Sequence, residues 1–390
     1  PLAYDAALDM VYIPTGVGTP DIWGGNRTEL HERYANSMLA LNASTGKLVW
    51  NFQTTHHDLW DMDVPSQPTL TDIKDKSGKM VPAIYVLTKT GNAFVLDRRT
   101  GAAIVPITEK PVPQTVKRGP QTKGERYSAT QPFSDFDLAP KEKLTDKQMW
   151  GATMFDQLMC RVSFHKLNYD GIYTPPSENG TLVFPGNLGV FEWGGMSVNP
   201  DRQIAVMNPI GLPFVSRLIP ADPNRPKTAK GAGTEAGVQP MYGVPYGVEI
   251  SAFLSPFGLP CKQPAWGFVA GVDLNTHEVA WKRRIGTIRD SLPGIQLPPF
   301  KMGVPMLGGS ISTAGNVMFV GGTQDNYIRA INVTNGDELW KGRLPAGGQA
   351  TPMTYEANGK QYVVIMAGGH GSFGTKMGDA LVAYALPDAK

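Results

Sequence analysis

The stretch Ala330–Trp340 reads AINVTNGDELW, and the same pattern occurs three more times along the chain. Each copy starts at the end of an apolar strand, passes through Asn or Asp into a short polar turn, and closes with a second strand. The other copies are Ala40–Trp50 (ALNASTGKLVW), Val95–Val105 (VLDRRTGAAIV) and Gly271–Trp281 (GVDLNTHEVAW). Self-similarity of this kind is typical of repeat architectures.

The turn chemistry explains why the pattern recurs. Asn and Asp side chains accept hydrogen bonds from the turn backbone, and Gly46, Gly101 and Gly336 can adopt the positive φ that other residues resist. An apolar strand precedes each copy; these strands are Met10–Ile13, Ala83–Thr88, Gly267–Ala270 and Asn316–Gly321. The series of strand, strand, turn and strand favours an all-β fold, a β-propeller of four-stranded blades.

A tryptophan closes three of the four copies, at Trp50, Trp281 and Trp340. At the end of a blade this side chain would fill the gap between neighbouring sheets, with its N–H needing one acceptor. The alternative is a β-sandwich in which the tryptophans coincide by chance.

Composition agrees with a turn-rich β protein. The chain has 390 residues, of which 44 are Gly and 33 Pro, and charged residues make up only 18%, against roughly 25% in a typical globular protein. The net charge is +2, so we expect no nucleic-acid partner.

Cys160 and Cys261 are the two cysteines. The CxxCH motif is absent from the sequence, which excludes a c-type haem attached within this chain. A disulfide and two free thiols both remain open. No run approaches the roughly 18 apolar residues of a membrane span, and we expect the chain to have been cut from a longer protein.

Two segments interrupt the repeats. Pro111–Lys147 and Pro220–Met241 are predicted to be long loops, and a short helix is expected near Met149–Met159. Long loops on a rigid scaffold are frequent binding sites.

The densest polar cluster is the run His56–Pro65, HHDLWDMDVP. Adjacent histidines in extended chain point to opposite faces and make a poor metal pair, whereas Asp61 and Asp63 would share a face. The two carboxylates suit a base and a metal-proximal ligand, or are simply solvated. Lys89 ends a strand; it is a surface charge unless it points into the same channel as Asp61.

These segments resemble the pyrroloquinoline-quinone (PQQ)-dependent dehydrogenases. The similarity lies in HHDLWDMD, in LTKTGNAFVLDRRTG (Leu87–Gly101) and in the stretch Gly308–Gly369, and it extends over essentially the whole chain. Gly124–Phe133 (GERYSATQPF) and the ending HGSFGTKMGDALVAYALP favour the membrane-bound, glucose-oxidising branch over the methanol and ethanol enzymes.

The resemblance implies an eight-bladed propeller with the quinone across its central channel. Residues 1–390 would form the C-terminal portion of that domain, with the first blades and an N-terminal membrane-spanning segment upstream. The domain would lie on the periplasmic side of the inner membrane.

Residue by residue, the resemblance implies that Asp61 is the catalytic aspartate and that Lys89 hydrogen-bonds the reactive quinone oxygens. Glu192 and Trp193 match positions near the cofactor. The alcohol enzymes carry a metal-ligating Asn in a YIGTGN motif, whereas this chain reads YIPTGVGT. Thr19 is the candidate replacement ligand, with the other ligands expected upstream of Pro1.

The implied reaction is oxidation of D-glucose and other aldoses to the lactone, with electrons passing to ubiquinone. The cation is expected to be Ca²⁺ or Mg²⁺, which prefer oxygen ligands. His370, flanked by glycines, is predicted to be exposed on a mobile loop and to bind a sugar hydroxyl; the alternative is a solvated loop residue. Two other functions stay open: a quinate or alcohol dehydrogenase, and a scaffold propeller without cofactor.

Overall fold

The computed structural model describes residues 1–74, 77–222, 238–291, 296–371 and 373–387. Most of the predicted loop at 220–241 therefore lies outside the described residues. The chain divides into two compact units. The first comprises Pro1–Asp72, Met80–Phe191 and Gly211–Gln263, and the second comprises Ile73–Lys79, Glu192–Ile210 and Pro264–Lys390.

Strands dominate the described residues, and helices are few. The elements up to the middle of the chain are β1 (Ala3–Asp5), β2 (Met10–Pro14), α1 (Glu29–Tyr34), β3 (Ser37–Asn42), β4 (Leu48–Gln53), β5 (Thr69–Lys74), β6 (Met80–Leu87), β7 (Ala93–Asp97), β8 (Ile107–Pro111), β9 (Thr130–Ser134), a 3₁₀ turn (Asp146–Gln148) and α2 (Met154–Lys166). No helix in the described ranges is long and apolar enough to cross a bilayer.

The later strands follow without a further helix among the described residues. They are β10 (Thr181–Val183), β11 (Met196–Asn199), β12 (Ile204–Met207), β13 (Phe214–Pro220), β14 (Val238–Pro240), β15 (Tyr246–Ala252), β16 (Phe268–Asp273), β17 (Val279–Arg284), β18 (Ser310–Ser312), β19 (Val317–Val320), β20 (Tyr327–Asn332), β21 (Glu338–Arg343), β22 (Met353–Ala357), β23 (Lys360–Ala367) and β24 (Ala380–Ala385).

The strands form repeated small sheets, as expected for blades. The four-stranded sheets have the orders β1-β2-β3-β4, β10-β13-β15-β14, β11-β12-β16-β17 and β18-β19-β20-β21. Three-stranded sheets β5-β6-β7 and β22-β23-β24 and the ribbon β8-β9 complete the described set.

The turn chemistry predicted from the repeats is confirmed. Backbone N–H groups of the turns donate to the side-chain oxygens of Asn42, Asp97, Asp273 and Asn332 at 2.7–2.9 Å. The left-handed position after the turn is glycine in three of the four copies. In the remaining copy, Gly271–Trp281, His277 occupies this position with φ +60°. Local hydrogen bonding therefore tolerates a histidine where glycine is usual.

Three copies share one further detail, a β-bulge beside the tryptophan. The register shifts between Ala40 and Leu41, between Gly271 and Val272, and between Ala330 and Ile331. The second copy differs: beyond its turn the structure has only an isolated bridge between Leu96 and Ala103. The closing strand expected in this described stretch is absent: Ile104 N and Val105 N both donate to Val95 O, at 2.9 and 3.4 Å, so the ladder does not continue in register. Pro106, which follows, has no N–H to donate.

The predicted tryptophan packing is confirmed for Trp50 and Trp281. Trp50 lies in a core cluster with Met38, Val86 and Phe94, and its Nε1 donates to Arg98 O at 3.1 Å. Trp281 packs among Val206, Met318 and Val333 and donates to Val333 O at 2.8 Å. A Cβ at Gly336 would fall 2.4 Å from the Trp281 ring, so this turn needs glycine for close approach as well as for its φ.

The structure corrects two expectations for the segment between the second and third copies of the repeat. The predicted loop at 111–147 contains β9, which pairs antiparallel with β8. The helix expected near Met149–Met159 begins at Met154, because the side chain of Thr153 caps it by accepting from Asp156 N at 3.1 Å. Cys160 of α2 is disulfide-bonded to Cys261, which settles the open question of the two thiols.

Candidate active site

The buried carboxylate of Asp58 shapes the HHDLWDMD segment. It accepts hydrogen bonds from Trp60 N at 2.8 Å, from Met62 N at 2.6 Å and from Asn36 Nδ2 at 2.8 Å. Burial raises the pKa of Asp58 to about 6. The turn that these bonds hold places Asp61 in the left-handed region, at φ +62°. An aspartate tolerates that conformation better than most residues do.

The turn aims Asp61 at Lys89. Lys89 Nζ lies 2.8 Å from Asp61 Oδ2 and 3.1 Å from Asp63 Oδ2, and the lysine side chain is only 9% exposed. The other carboxylate oxygen of Asp63, Oδ1, accepts a hydrogen bond from Val17 N at 2.7 Å, which holds the side chain in place. Of the two interpretations of Lys89, the structure therefore excludes the solvated surface charge.

The backbone packs closely around the lysine. Val190 N donates to Lys89 O at 2.8 Å. Gly189 has φ +69°, and a Cβ at this position would lie 2.5 Å from Lys89 Cγ. The loop that follows β10 thus holds the lysine stem in place, and only glycine fits at the contact.

The two aspartates differ in their electrostatics. Burial raises the pKa of Asp61 well above the usual value, and the charge of Asp63 raises it further, against the opposing effect of Lys89. Burial also raises the pKa of Asp63, but the Lys89 charge and the hydrogen bonds from its neighbours together bring it below the usual value. The two carboxylates that share Lys89 therefore differ in the direction of their pKa shift, which is upward for Asp61 and downward for Asp63.

The two histidines have separate partners, although the segment forms a turn, with His57 at φ +42°, and not the extended chain that the sequence analysis assumed. His56 contacts Gln53 Oε1 at 2.7 Å and Glu109 Oε1 at 3.0 Å. His57 is buried between Glu32 Oε1 at 2.9 Å and Glu125 Oε1 at 3.0 Å.

The segment GERYSATQPF holds the histidine pair. Glu125 is its second residue, and its Oε2 also accepts from Gly24 N at 2.7 Å. Gln131 accepts from His56 N and donates to His56 O, both at 2.7 Å. Sequence reasoning used this segment only as a family marker; the buried Gln131 amide and the acid partners of His57 were missed, because both contacts join residues far apart in the chain.

Thr19 lies near carboxylates but not in a complete cation site. It is exposed, two residues beyond Val17, whose N–H binds Asp63. Burial and the charge of Asp63 raise the pKa of nearby Asp21. Within the described ranges, however, no group of three or more His, Cys, Asp or Glu side chains could hold a metal ion. The role of Thr19 stays a prediction.

The remaining predicted site residues lie in the second unit. Trp193 is 37% exposed, and its backbone N–H donates to Glu192 Oε2 at 2.9 Å; the roles of both residues stay predictions. His370 is half-buried, which corrects the expectation of an exposed imidazole on a mobile loop. Its Nδ1 accepts from Phe373 N at 3.2 Å, and Gly369 N donates to Gly347 O at 2.8 Å.

Two buried amides lack hydrogen-bond partners for some of their polar atoms. Asn187, in the first unit, donates to Trp60 O at 3.2 Å, while its Oδ1 has no partner among the described residues. Gln349, in the second unit, is 3% exposed, and in the same described ranges neither of its side-chain polar atoms has a partner. Buried polar groups are normally satisfied, so each is a candidate ligand contact.

The family model for the PQQ-containing β-propeller domain of glucose, ethanol and alcohol dehydrogenases matches residues 1–363. The chain belongs to this family. It is 87% identical, over its whole length, to quinoprotein glucose dehydrogenase A of Acinetobacter calcoaceticus, and 66% identical to the quinoprotein glucose dehydrogenase of Escherichia coli K12. In both cases it spans 49% of the relative, so the chain has about half the length of these curated proteins.

Solved structures agree on the fold. A quinohemoprotein alcohol dehydrogenase from Pseudomonas putida HK5 aligns with a TM-score of 0.59 at 25% identity, covering 95% of this chain and 44% of that one. The predicted all-β propeller is thereby confirmed.

Proposed function

We propose that the protein containing this chain oxidises D-glucose and other aldoses to the lactone with PQQ as cofactor. The observation that carries the proposal is the buried contact between Lys89 and Asp61, which joins two family motifs into one acid–base pair. The names of the two relatives given above support glucose as the substrate. Residues 1–390 would be the C-terminal portion of the propeller.

The donor set of the chain fits an anionic quinone. Lys89 offers a buried cation for the quinone oxygens. Gln349 Nε2, which has no partner among the described residues, would donate to a carboxylate or carbonyl of a ligand. Asn187 Oδ1, also without a partner there, would accept from a ligand N–H or O–H. Glu192 and the partly exposed ring of Trp193 are the other proposed contacts. When bound, the quinone supplies a two-electron acceptor for the hydride of the sugar.

Asp61 acts as the general base in this proposal. It takes the proton of the anomeric hydroxyl as hydride leaves the anomeric carbon, so that the ring carbon becomes the lactone carbonyl. Its raised pKa suits this role, because a base works best when its pKa lies near the operating pH. Lys89 stabilises negative charge that develops at the acceptor oxygen, and Asp63 keeps the ammonium charged and oriented.

A divalent cation, Ca²⁺ or Mg²⁺, is the second proposed cofactor, with Thr19 as one ligand. Asp63, which accepts from Val17 N, and Asp21, two residues beyond Thr19, offer carboxylates to this segment of chain. Since Ca²⁺ takes roughly six to eight oxygen ligands, these residues do not form a complete site, and the cation enters no step above.

We further propose ubiquinone as the electron acceptor and the periplasmic side of the inner membrane as the location. The disulfide between Cys160 and Cys261 supports an oxidising compartment.

The test is reconstitution of the full-length apo-protein with PQQ and either Ca²⁺ or Mg²⁺, followed by turnover of glucose, quinate and ethanol with a soluble quinone acceptor. We expect cofactor-dependent oxidation of glucose at the highest kcat/KM of the three. Higher kcat/KM with quinate or ethanol would contradict the substrate assignment. Absence of PQQ binding would instead support a scaffold propeller.

A further inference from the structure

The outward face of α2 is apolar. Met154, Phe155, Leu158 and Val162 are 89%, 66%, 53% and 39% exposed. Positions 154, 158 and 162 are spaced by four residues and form one stripe along the helix, with Phe155 beside it. The opposite side faces the protein core, where Asp156 and Cys160 are buried. In this helix the apolar stripe faces solvent, the reverse of an ordinary surface helix.

Cationic side chains border this stripe. Arg161 and Lys166 are exposed, and neither forms an ion pair within the described part of the chain. The only acidic residue of the helix, Asp156, is turned inward, where its Oδ2 accepts from Ala152 N. His165 approaches Asp146 of the 3₁₀ turn at 3.7 Å. The outward face of α2 therefore combines apolar and positively charged groups and carries no carboxylate of its own.

A disulfide and a hydrogen bond hold the helix with this face outward. The disulfide from Cys160 to Cys261 fixes its middle, and Gln157 Nε2 donates to Met149 O at 2.9 Å. The hairpin that leads to Cys261 exposes another aromatic side chain, Phe257, which is 62% exposed. Phe257 is four residues from Cys261, so its backbone lies within about 15 Å of that cysteine.

We propose that α2 and Phe257 form a docking surface for the headgroup region of an anionic lipid bilayer. The apolar side chains would enter the boundary between headgroups and acyl chains, and Arg161 and Lys166 would contact the phosphates. Charge favours this occupant over a second copy of the chain, because a symmetric contact would bring the same cations together. With 13 residues, α2 lies on the bilayer and does not span it. The inference goes beyond the proposed oxidation, since no catalytic residue takes part.

The test places a reporter indole on α2 in the full-length protein. Phe155→Trp is compared with Leu381→Trp, a matched control at a 69% exposed apolar position of β24. Each variant is added to vesicles containing about 30% phosphatidylglycerol, with and without brominated acyl chains, and the parent signal is subtracted. We expect bromine to quench the added indole of Phe155→Trp at least twofold more strongly than that of Leu381→Trp.

Two outcomes would overturn the proposal. The first is equal quenching of the two variants by brominated lipid. The second is shielding of the added indole of Phe155→Trp from aqueous acrylamide in the absence of lipid, because protein would then cover the face.

A second measurement isolates the charges. In the Phe155→Trp background, Arg161→Gln with Lys166→Gln should lower the ratio of docked to undocked protein about fivefold per side chain on anionic vesicles. The effect should disappear on neutral phosphatidylcholine and in high salt. Lys47→Gln with Lys74→Gln is the matched control, from exposed lysines elsewhere. An equal effect of both pairs would overturn the role of α2. Bromine quenching of the added indole is measured without sugar oxidation, so a negative result for the docking surface does not contradict the proposed enzymatic activity.

Discussion

Lys89 Nζ lies 2.8 Å from Asp61 Oδ2, across 28 positions of sequence. The same ammonium lies 3.1 Å from Asp63 Oδ2, so one buried cation is shared by two carboxylates that belong to one short turn. Removing one partner of a buried ion pair leaves an uncompensated charge, which is more costly than replacing the whole pair. Variants of these three residues must therefore be interpreted together with the groups they leave behind.

Replacing Asp61 by Asn is expected to lower kcat by about 10²–10⁴-fold, the usual contribution of a general base. The amide keeps the size of the side chain but cannot take the proton. Affinity for PQQ, measured by titration of the apo-protein, should change only a few-fold. Asp201→Asn, at an exposed turn, is the control and should behave as the parent. Near-normal kcat in Asp61→Asn would remove this residue from the mechanism.

Lys89→Ala is expected to damage cofactor binding more than sugar binding. Loss of a charge-assisted hydrogen bond costs about 1.5–3 kcal/mol, which corresponds to roughly 10- to 150-fold weaker affinity for PQQ. Fluorescence titration of apo-protein measures this directly, with the exposed Lys47→Ala as control. Unchanged affinity together with an unchanged rate of cofactor reduction would show that Lys89 only neutralises the aspartates.

The decrease of kcat/KM at low pH should follow the protonation of Asp61. A base must be ionised to act, so kcat/KM should fall as pH decreases through the pKa of Asp61, and at a higher pH than for an ordinary aspartate. The charge of Asp63 contributes to that raised pKa. Asp63→Asn should therefore move the acid limb to lower pH. A limb that stays in place or moves upward would assign the titration to another group.

His370→Asn is expected to raise the KM for glucose about two- to tenfold, the value of one hydrogen bond. Because Nδ1 accepts from Phe373 N, a neutral ring carries its proton on Nε2 and can donate it to a sugar hydroxyl. The ranking among glucose, galactose and a disaccharide should change, with a smaller change in kcat. A proportional loss on all three sugars would indicate a purely structural loop.

Trp281→Phe should destabilise the fold more than Trp340→Phe. The first change leaves the buried Val333 carbonyl without its donor, which costs about 1–3 kcal/mol. Trp340 is 41% exposed and packs edge-on against Tyr384, with 5.0 Å between the ring centroids. Its replacement should therefore lower the free energy of unfolding by less. Urea denaturation of both variants provides the comparison. Equal losses would mean that the tryptophans stabilise the sheets through ring area alone.

The sequence by itself determined the repeated turn. Its Asx residue, its left-handed glycine and its closing tryptophan act within about ten residues of one another, so their chemistry can be interpreted locally. The copies at Ala40–Trp50, Gly271–Trp281 and Ala330–Trp340 were predicted on this basis and occur as hairpins with a common bulge. The family resemblance, which also needs no structure, named Asp61 and Lys89.

Only the tertiary structure decided which distant side chains meet. His57 lies between Glu32 and Glu125, and the contact with Glu125 joins residues 68 positions apart. The disulfide joins residues 101 positions apart. Neither contact leaves a periodic or spaced signal in the chain. The exposure of a side chain such as Phe155 or His370 is likewise decided by what packs against it. Contacts of this kind depend on how sheets and loops come together, and local propensity does not encode that arrangement.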